Sequence, residues 1–241
     1  WQDQVKSTGA MPEPVLSLKD VSFGFSQASH VIADASIDVH AGEIVGLYGP
    51  SGVGKSTLGD LCLGLHRPTH GTVRWFGEPI TPAAIRQQRP KLQKLFQNPV
   101  TSFPPNLMLG DVLKKLTPIS KRRSISRSEL MSRLKLDEAL LRRRPDQVSG
   151  GELQRLAIVR VMLAQPRFLV CDEPSSRLDM SIQRLAIEII TDYVVETDAA
   201  ILLISHDREV LRKRADHVFA LSKKGVLKRV EVAGDRRIAH A

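Results

Sequence analysis

The sequence predicts an α/β fold built around a mainly parallel sheet, and three observations predict it. Short apolar runs at residues 43–48, 168–171 and 201–204 have the length and composition of buried strands. Segments with helical length and spacing lie between these runs. The run at 43–48 also leads directly into a glycine-rich turn. Strands that alternate with helices indicate parallel pairing, with helices on both faces of the sheet.

The remaining elements follow in chain order. Residues 15–23 alternate apolar and polar side chains, as a half-buried strand does, and residues 31–39 do so more weakly. Residues 71–77 predict an edge strand closed by turn residues. The helices are predicted at residues 55–65, 151–164 and 180–196, and the last strand ends near residue 221.

Residues 98–148 differ in character from the segments on either side. The stretch opens with three prolines and then shows helical patterning of leucines, interrupted by basic residues and serines. We interpret it as a helical subdomain inserted into one domain that spans residues 11–241. Residues 1–10 are polar, precede Met11 and predict a tag or a disordered arm. No internal repeat is visible, so a single domain is expected.

The glycine-rich turn fits the P-loop pattern GxxxxGK(S/T), in which backbone N–H groups close around phosphates at the positive end of a helix. A strand precedes the turn and a helix follows it, which is the context the motif requires. Lys55 would lie between the β- and γ-phosphates of a nucleotide, and Ser56 would offer a hydroxyl to Mg²⁺. The predicted phosphate-binding residues are Gly49, Pro50, Ser51, Gly52, Val53, Gly54, Lys55, Ser56 and Thr57.

A second motif, about a hundred residues later, indicates which kind of nucleotide-binding protein this is. Residues 148–155 read VSGGELQR, which closely resembles the LSGGQxQR signature of ATP-binding cassette (ABC) ATPases. Further family motifs follow in the family's order, and the resemblance covers residues 15–221. It implies a RecA-like P-loop core, an N-terminal antiparallel β-subdomain and an inserted helical subdomain, with ATP and Mg²⁺ as cofactors.

Two acidic residues end the strand predicted at 168–171. A carboxylate at the end of an apolar strand is costly to bury unless it meets a cation or hydrogen bonds, and Mg²⁺, reached through a water, would supply that partner for Asp172. Glu173 would polarise the attacking water as a general base. The alternative for this pair is an ordinary helix-capping acid. By resemblance, Asp172 and Glu173 correspond to Walker B and the catalytic glutamate.

The resemblance assigns three more loops around the nucleotide. Gln97 corresponds to the Q-loop glutamine, which would contact Mg²⁺ or the attacking water, although a lone glutamine in a loop is usually polar surface. His206 corresponds to the switch histidine that senses the γ-phosphate, with a histidine near the core as the alternative. Asp179 corresponds to the D-loop aspartate at a dimer seam; most members carry Ala where this chain has Arg177.

The signature itself combines a serine hydroxyl, two glycine backbones and a helix N-terminus, which together form an anion clamp. Ser149 is a plausible helix N-cap, and that structural role does not exclude the functional one. The clamp cannot readily reach the P-loop of its own chain, so the resemblance implies a head-to-tail dimer in which each signature covers the partner's ATP. The clamp residues are Ser149, Gly150, Gly151 and Glu152.

One aromatic residue is expected to stack on adenine. Phe25 aligns with the family's aromatic at this position, and Phe23 is the competitor. A core aromatic is the default interpretation of either residue, and we favour Phe25 as the adenine contact.

The composition restricts the function classes. Hydrophobic and charged fractions of 42% and 25% are typical of soluble globular chains, and no apolar run approaches the ~20 residues of a membrane helix. The net charge of +9 comes largely from local basic runs and is accompanied by only 5% aromatic residues, so no nucleic-acid partner is expected. Cys62 and Cys171 are interpreted as core residues rather than a disulfide or metal ligands.

We therefore predict the ATP-hydrolysing subunit of an ABC importer, peripheral on the cytoplasmic face of the inner membrane. Residues 95–113 resemble the peptide and nickel importer pattern FQDPxxSLNPxxTVGDIL, departing from it at residues 103–106, which read FPPN. The implied partners are membrane permease subunits, a second identical or paralogous ATPase chain and, indirectly, a solute-binding protein. The alternatives are an exporter motor, or a soluble ABC ATPase in DNA repair or translation.

Overall fold

The computed structural model describes residues 13–26, 30–116, 126–174 and 178–230. The prediction for residues 1–10, and Ser176 and Arg177 of the D-loop, lie outside the described residues. The described strands, in chain order, are β1 (Leu16–Phe23), β2 (Ile32–Val39), β3 (Ile44–Tyr48), β4 (His70–Trp75), β5 (Glu78–Pro79), β6 (Leu92–Leu95), β7 (Phe168–Asp172), β8 (Ala200–Ile204), β9 (His217–Leu221) and β10 (Leu227–Val230).

Helices lie between most of these strands. The described α-helices are α1 (Lys55–Cys62), α2 (Pro82–Gln88), α3 (Leu109–Lys114), α4 (Arg127–Arg133), α5 (Gly150–Ala164), α6 (Met180–Thr197) and α7 (Arg208–Arg214). Short 3₁₀ helices cover Arg89–Lys91, Pro99–Ser102, Glu138–Arg142 and Pro145–Gln147.

The larger sheet has six strands in the order β10-β9-β3-β8-β7-β6. All of its pairs are parallel except β10 with β9, which is antiparallel. This arrangement confirms the predicted α/β fold with a mainly parallel sheet. The sequence prediction ended the sheet near Leu221, whereas β10 adds one more strand beyond it. The short β10 has no fully buried residue, so it lacks the apolar run by which the inner strands were recognised.

The smaller sheet is antiparallel, with the order β2-β1-β4-β5. Residues 71–77 were predicted as an edge strand, and this is wrong in detail, because β4 pairs with β1 on one side and with the two-residue β5 on the other. The edge position belongs to β5, which is too short to produce an alternating pattern in the sequence.

The core has two parts, one on each face of the large sheet. Along β7, Phe168 and Val170 face the same cluster as α1 and the small sheet, whereas Leu169 and Cys171 face α5 and α6. Alternate residues of a strand point to opposite faces, so a continuous apolar run fills both clusters. Cys62 and Cys171 are free and buried, and burial raises the pKa of both thiols.

Between the Q-loop and the signature, the described residues 98–116 and 126–148 contain helical elements and no strand. The leucine pattern indicated helical structure without helix bounds, and α4 ends at Arg133, shortly before Lys135, which adopts a left-handed conformation with φ 52°. A 3₁₀ helix then continues the pattern. The assignment of residues 98–148 to a separate subdomain stays a prediction. In the described part of the chain no helix is long and apolar enough to cross a membrane.

Candidate functional site

The P-loop connects the central strand β3 to α1, and two of its glycines are required by close packing. A Cβ on Gly49 would lie 2.5 Å from the carbonyl oxygen of Leu221. A Cβ on Gly54 would lie 2.6 Å from Val31 Cγ1, and Gly54 has φ +108°. A side chain at Gly49 would collide with backbone, and one at Gly54 would displace Val31 and strain the positive φ. The loop is therefore held tightly between β9 and the residues that lead into β2.

Lys55 is buried and held by the loop that contains it. Its Nζ donates hydrogen bonds to the carbonyl oxygens of Gly49 and Pro50, each at 3.0 Å. A buried ammonium needs such acceptors. The cation is thus fixed inside the loop.

A cleft of about 280 Å³ opens beside the loop, a size near the lower limit for small-molecule sites. It brings together residues from the P-loop, the Q-loop and the ends of β7 and β8. Its lining residues are Phe25, Val31, Ser51, Gly52, Gly54, Lys55, Ser56, Thr57, Gln97, Glu173 and His206. Except for Val31, all of these were predicted from the sequence. The predicted residues Gly49, Pro50 and Val53 belong to the loop but not to this lining.

Three side chains converge at the mouth of the cleft. Gln97 Nε2 donates a hydrogen bond of 2.6 Å to Glu173 Oε2, and His206 Nε2 lies 2.5 Å from Glu173 Oε1. Glu173 has φ 48°, and its N–H donates to the carbonyl of Ile204 on β8. These residues follow β6, β7 and β8, whose carboxyl ends meet at one edge of the parallel sheet, where α/β proteins bind ligands. Both carboxylate oxygens of Glu173 are therefore engaged.

Asp172 lies deeper, outside the cleft lining. It is buried, and its Oδ2 lies 3.3 Å from the Nζ of Lys94 on β6. The same Nζ lies 2.7 Å from Asp60 Oδ1 on α1. Sequence analysis missed Lys94. The available signal was a lysine inside the short run Leu92–Leu95, although β6 is too brief to predict which of its residues face inward.

The opposite end of the cleft is aromatic. Phe25 is 68% exposed, whereas Phe23 is 8% exposed and belongs to the core. His66 stacks on Phe23 at 5.0 Å and meets the edge of Phe25 at 5.8 Å. This geometry favours Phe25 over Phe23 as the ring available to a ligand. His66 was not foreseen, because it follows α1 and no local pattern connects it to β1.

The signature residues do not line this cleft. Ser149 caps α5: its Oγ accepts from Glu152 N–H, and Glu152 Oε2 accepts from Ser149 N–H and Oγ–H. The predicted N-cap is present, and the bond from the Ser149 backbone N–H lowers the pKa of Glu152. A Cβ on Gly150 would meet no atom within 4 Å. Gly150 is therefore open to an approaching molecule.

A buried contact links the signature helix to the Glu173 loop. Gln154 Nε2, on α5, donates a 3.0 Å hydrogen bond to the carbonyl of Pro174, which directly follows Glu173. Gln154 lies within the signature, and the sequence alone indicates no role for it. The fold thus connects the first turns of α5 with the loop that carries Glu173.

Asp179 is exposed and caps α6. Its Oδ1 accepts from the Ser181 hydroxyl at 2.6 Å and from the N–H groups of Ser181 and Ile182 at 3.1 Å. The Ser181 hydroxyl is the main cause that lowers the pKa of Asp179. The capping function is observed, and the place of Asp179 at a dimer seam stays a prediction.

A larger cavity of about 650 Å³ lies between α3, the start of α4 and the 3₁₀ helix Glu138–Arg142. No residue of the nucleotide motifs lines it. The smaller cleft is the candidate nucleotide site, because P-loop residues line it together with Gln97, Glu173 and His206.

The family model described as ABC transporter matches residues 32–176. The chain belongs to the ABC transporter family. Membership confirms the resemblance drawn from the motifs, and with it the prediction that the chain is an ATP-binding ATPase.

Curated relatives cover most of the chain. The nickel import ATP-binding protein NikE of Escherichia coli O6:K15:H31 is 31% identical over 238 residues, 92% of this chain and 88% of its own length. The nickel import system ATP-binding protein NikE of Staphylococcus aureus (strain bovine RF122 / ET3-1) is 35% identical over 214 residues, 86% of each chain.

Solved structures agree on the fold. An ATP-binding subunit of an ABC transporter superposes with a TM-score of 0.81 at 26% identity, covering 92% of this chain and 91% of that one. An ATP-binding cassette in a dimeric post-hydrolysis state, bound to ADP and phosphate, gives a TM-score of 0.77 at 24% identity, covering 91% and 99%.

Proposed function

We propose that this ABC ATPase powers import of a peptide, nickel or metal-chelate type substrate through partner membrane subunits. The observation that carries the proposal is the Glu173 carboxylate, held between Gln97 and His206 at the mouth of the P-loop cleft. Relatives named as nickel import ATP-binding proteins, aligned over most of their length, support the direction of transport and the substrate class.

The cleft residues divide the work of hydrolysis between them. ATP phosphates would replace the Gly49 and Pro50 carbonyls as partners of Lys55, whose charge would then offset that of the β- and γ-phosphates. Glu173 would accept a proton from the attacking water. His206 would hydrogen-bond the γ-phosphate, and Phe25 would stack on adenine.

The residues present fit Mg²⁺. Ser56 and Gln97 offer a hydroxyl and an amide oxygen in the cleft lining, and Asp172 offers a buried carboxylate that already lies beside one cation, Lys94. Mg²⁺ prefers such oxygen ligands and usually keeps several waters. Ser56 and Gln97 would hold it directly, and Asp172 would act through a water. When bound, the ion would neutralise charge on the phosphate oxygens.

The anion clamp formed by residues 149–152 requires a second cassette. None of these residues lines the chain's own cleft, and Gly150 is open. A head-to-tail partner would bring each clamp over the other chain's ATP, with Asp179 at the seam. The partner is an identical chain or a paralogue.

Membrane subunits would dock beside the Q-loop. Leu65 and Phe96 line one cleft, and Leu65, Val100 and Met108 are large apolar side chains that are 42%, 53% and 40% exposed. Larger exposed apolar patches mark protein interaction sites, and these side chains would contribute to such a contact when the membrane subunits dock. The chain would then lie on the cytoplasmic face of the inner membrane.

Affinity capture of the chain from detergent-solubilised membranes of its native host tests this proposal. We expect recovery of polytopic membrane proteins, a second cassette and a solute-binding protein. Recovery of permease subunits without any solute-binding protein would favour an exporter motor. Recovery of ribosomes or DNA-repair proteins without a permease would contradict the transport function and leave the ATPase assignment intact.

A further inference from the structure

Lys94 is a buried cation between two carboxylates beneath the nucleotide cleft. Its side chain is 7% exposed, and its Nζ lies 2.7 Å from Asp60 Oδ1 and 3.3 Å from Asp172 Oδ2. The ring of Phe96 lies 5.3 Å from the same Nζ. Two carboxylates and the face of an aromatic ring thus surround this ammonium.

The sheet register explains the contact. Lys94 on β6 pairs with Val170 on β7, and Asp172 lies two residues further along β7, so the two side chains lie on the same face of the sheet. Asp60 reaches them from α1, whose first residues are Lys55 and Ser56. The ammonium thus joins the P-loop helix, the strand before Gln97 and the strand before Glu173.

The buried pair of Lys94 and Asp172 stabilises each charge against the cost of burial. Removal of one partner of such a pair leaves an uncompensated buried charge, which is strongly unfavourable. When no Mg²⁺ is near Asp172, Lys94 supplies the compensating charge. Toward a Mg²⁺ ion held through a water of Asp172, the ammonium of Lys94 would be repulsive, because the interior screens charge less than water does.

We propose that Lys94 is an internal counter-cation of Asp172 that stabilises the metal-free site and thereby weakens Mg²⁺ binding. The inference rests on the proposed role of Asp172 toward nucleotide-bound Mg²⁺. Lys94 is a positioning residue, because it acts on the metal site through Asp172. Asp60 moderates the effect, since it draws the ammonium toward α1 at the shorter of the two distances.

The test uses Lys94→Met, which keeps an unbranched chain one atom shorter and removes the charge, and Asp60→Asn, which leaves Asp172 as the one carboxylate beside Lys94 among the described residues. The control Lys228→Met makes the same charge change at an exposed position on β10, at the far edge of the sheet. Two quantities are measured on the full chain: the Mg²⁺ concentration that half-saturates fluorescent ADP binding, and the melting temperature in EDTA without nucleotide.

We expect Lys94→Met to lower the half-saturating Mg²⁺ concentration by roughly three- to tenfold and to lower the melting temperature in EDTA. Asp60→Asn should raise the half-saturating Mg²⁺ concentration, and Lys228→Met should change neither quantity. The opposite signs distinguish the proposal from a purely structural role, which would lower the melting temperature of both site variants without this pattern.

An unchanged or raised Mg²⁺ requirement in Lys94→Met would overturn the proposal. If Lys94→Met does not fold, an unchanged or lowered Mg²⁺ requirement in Asp60→Asn would do so. Wild-type chain that binds ADP independently of Mg²⁺ would contradict the proposed metal site itself, and the Lys94 proposal with it. If the wild type depends on Mg²⁺ but the half-saturating concentration rises in Lys94→Met or falls in Asp60→Asn, only the role of Lys94 is contradicted.

Discussion

At the scale of single residues, the cleft concentrates its chemistry on one carboxylate. Glu173 sits in a left-handed conformation and meets Gln97 and His206 through its two oxygens. Strained backbone of this kind persists where the surrounding contacts determine it, and it clusters at functional sites. Here the contacts are the carbonyl of Ile204, which fixes the N–H, and the two side chains that fix the carboxylate.

The first prediction concerns this carboxylate. Glu173→Gln should lower the ATPase rate roughly 10²–10⁴-fold, because an amide cannot accept the proton of the attacking water. The measurement is the steady-state ATPase rate of the assembled complex, with nucleotide binding followed separately. Binding should persist, because the P-loop is unchanged. An ATPase rate near that of the wild type would show that Glu173 is not the general base.

At the scale of elements, α5 carries the signature at its N-terminus, and its first turn is fixed by a reciprocal cap. Ser149 and Glu152 satisfy each other's backbone N–H groups, and Arg155 Nη1 donates to the carbonyl of Leu134, just past α4. The order of the first turn thus comes from within α5 and from its neighbour, without any ligand. A pre-ordered turn costs less conformational entropy when it meets a phosphate.

The second prediction is that Ser149→Ala destabilises the chain by about 1 kcal/mol at pH 7, through loss of the N-cap. The pKa of Glu152 is lower in the folded chain than in the unfolded chain. Its ionised carboxylate therefore adds to the free energy of unfolding above the unfolded pKa of about 4.3. This stabilisation is lost as the pH falls through the folded pKa. Part of that contribution depends on the Ser149 hydroxyl. The difference in free energy of unfolding between wild type and Ser149→Ala, here called the stability gap, should therefore become smaller as the pH falls below about 4.

Denaturant unfolding at pH 7 and at a pH below about 4 measures the stability gap. Ser126→Ala is the matched control. Ser126 caps α4 by accepting from Glu129 N–H, and no capping box with a reciprocal carboxylate bond is found there among the described residues. Its stability gap should stay constant with pH. A gap for Ser149→Ala that also stays constant would mean that the Glu152 carboxylate contributes nothing through the cap.

At the scale of the whole molecule, the P-loop cleft and the signature occupy separate places on the chain. The cleft holds the P-loop and the ends of β6, β7 and β8, and the signature lies outside its lining. A mechanical connection exists inside the chain, since Gln154 on the signature helix hydrogen-bonds the carbonyl next to Glu173. A movement of α5 caused by a partner bound at Ser149 would thus reach the Glu173 loop through the Gln154 hydrogen bond.

The third prediction is that Glu173→Gln dimerises with ATP and Mg²⁺ and returns to monomer with ADP, because slow hydrolysis would preserve the clamped state. Light scattering on purified chain measures the mass. Adding Ser149→Arg should abolish the dimer and leave nucleotide binding in place, since the new side chain would occupy the partner's phosphate site. A chain that stays monomeric with ATP would contradict a homodimer and indicate pairing with a paralogous cassette.

The sequence by itself determined the family, the inner strands and the contiguous motifs. A P-loop or a signature places its functional groups within a few adjacent residues, so local backbone geometry is enough to predict their chemistry, as at Lys55 and at the Ser149 cap. Uninterrupted apolar runs such as β8 likewise reveal their burial, because both faces are covered. Short strands such as β5 and β10 were not predicted, because they contain too few residues to show an alternating apolar and polar pattern.

Only the tertiary structure decided contacts between residues far apart in the chain. Whether Phe23 or Phe25 is the ring open to a ligand depended on which of the two the core buries. The ammonium of Lys94 reaches Asp60 and Asp172 because β6 pairs in register with β7 while α1 packs across the same face. Such contacts depend on how separate elements pack, and no periodicity within a single segment encodes that.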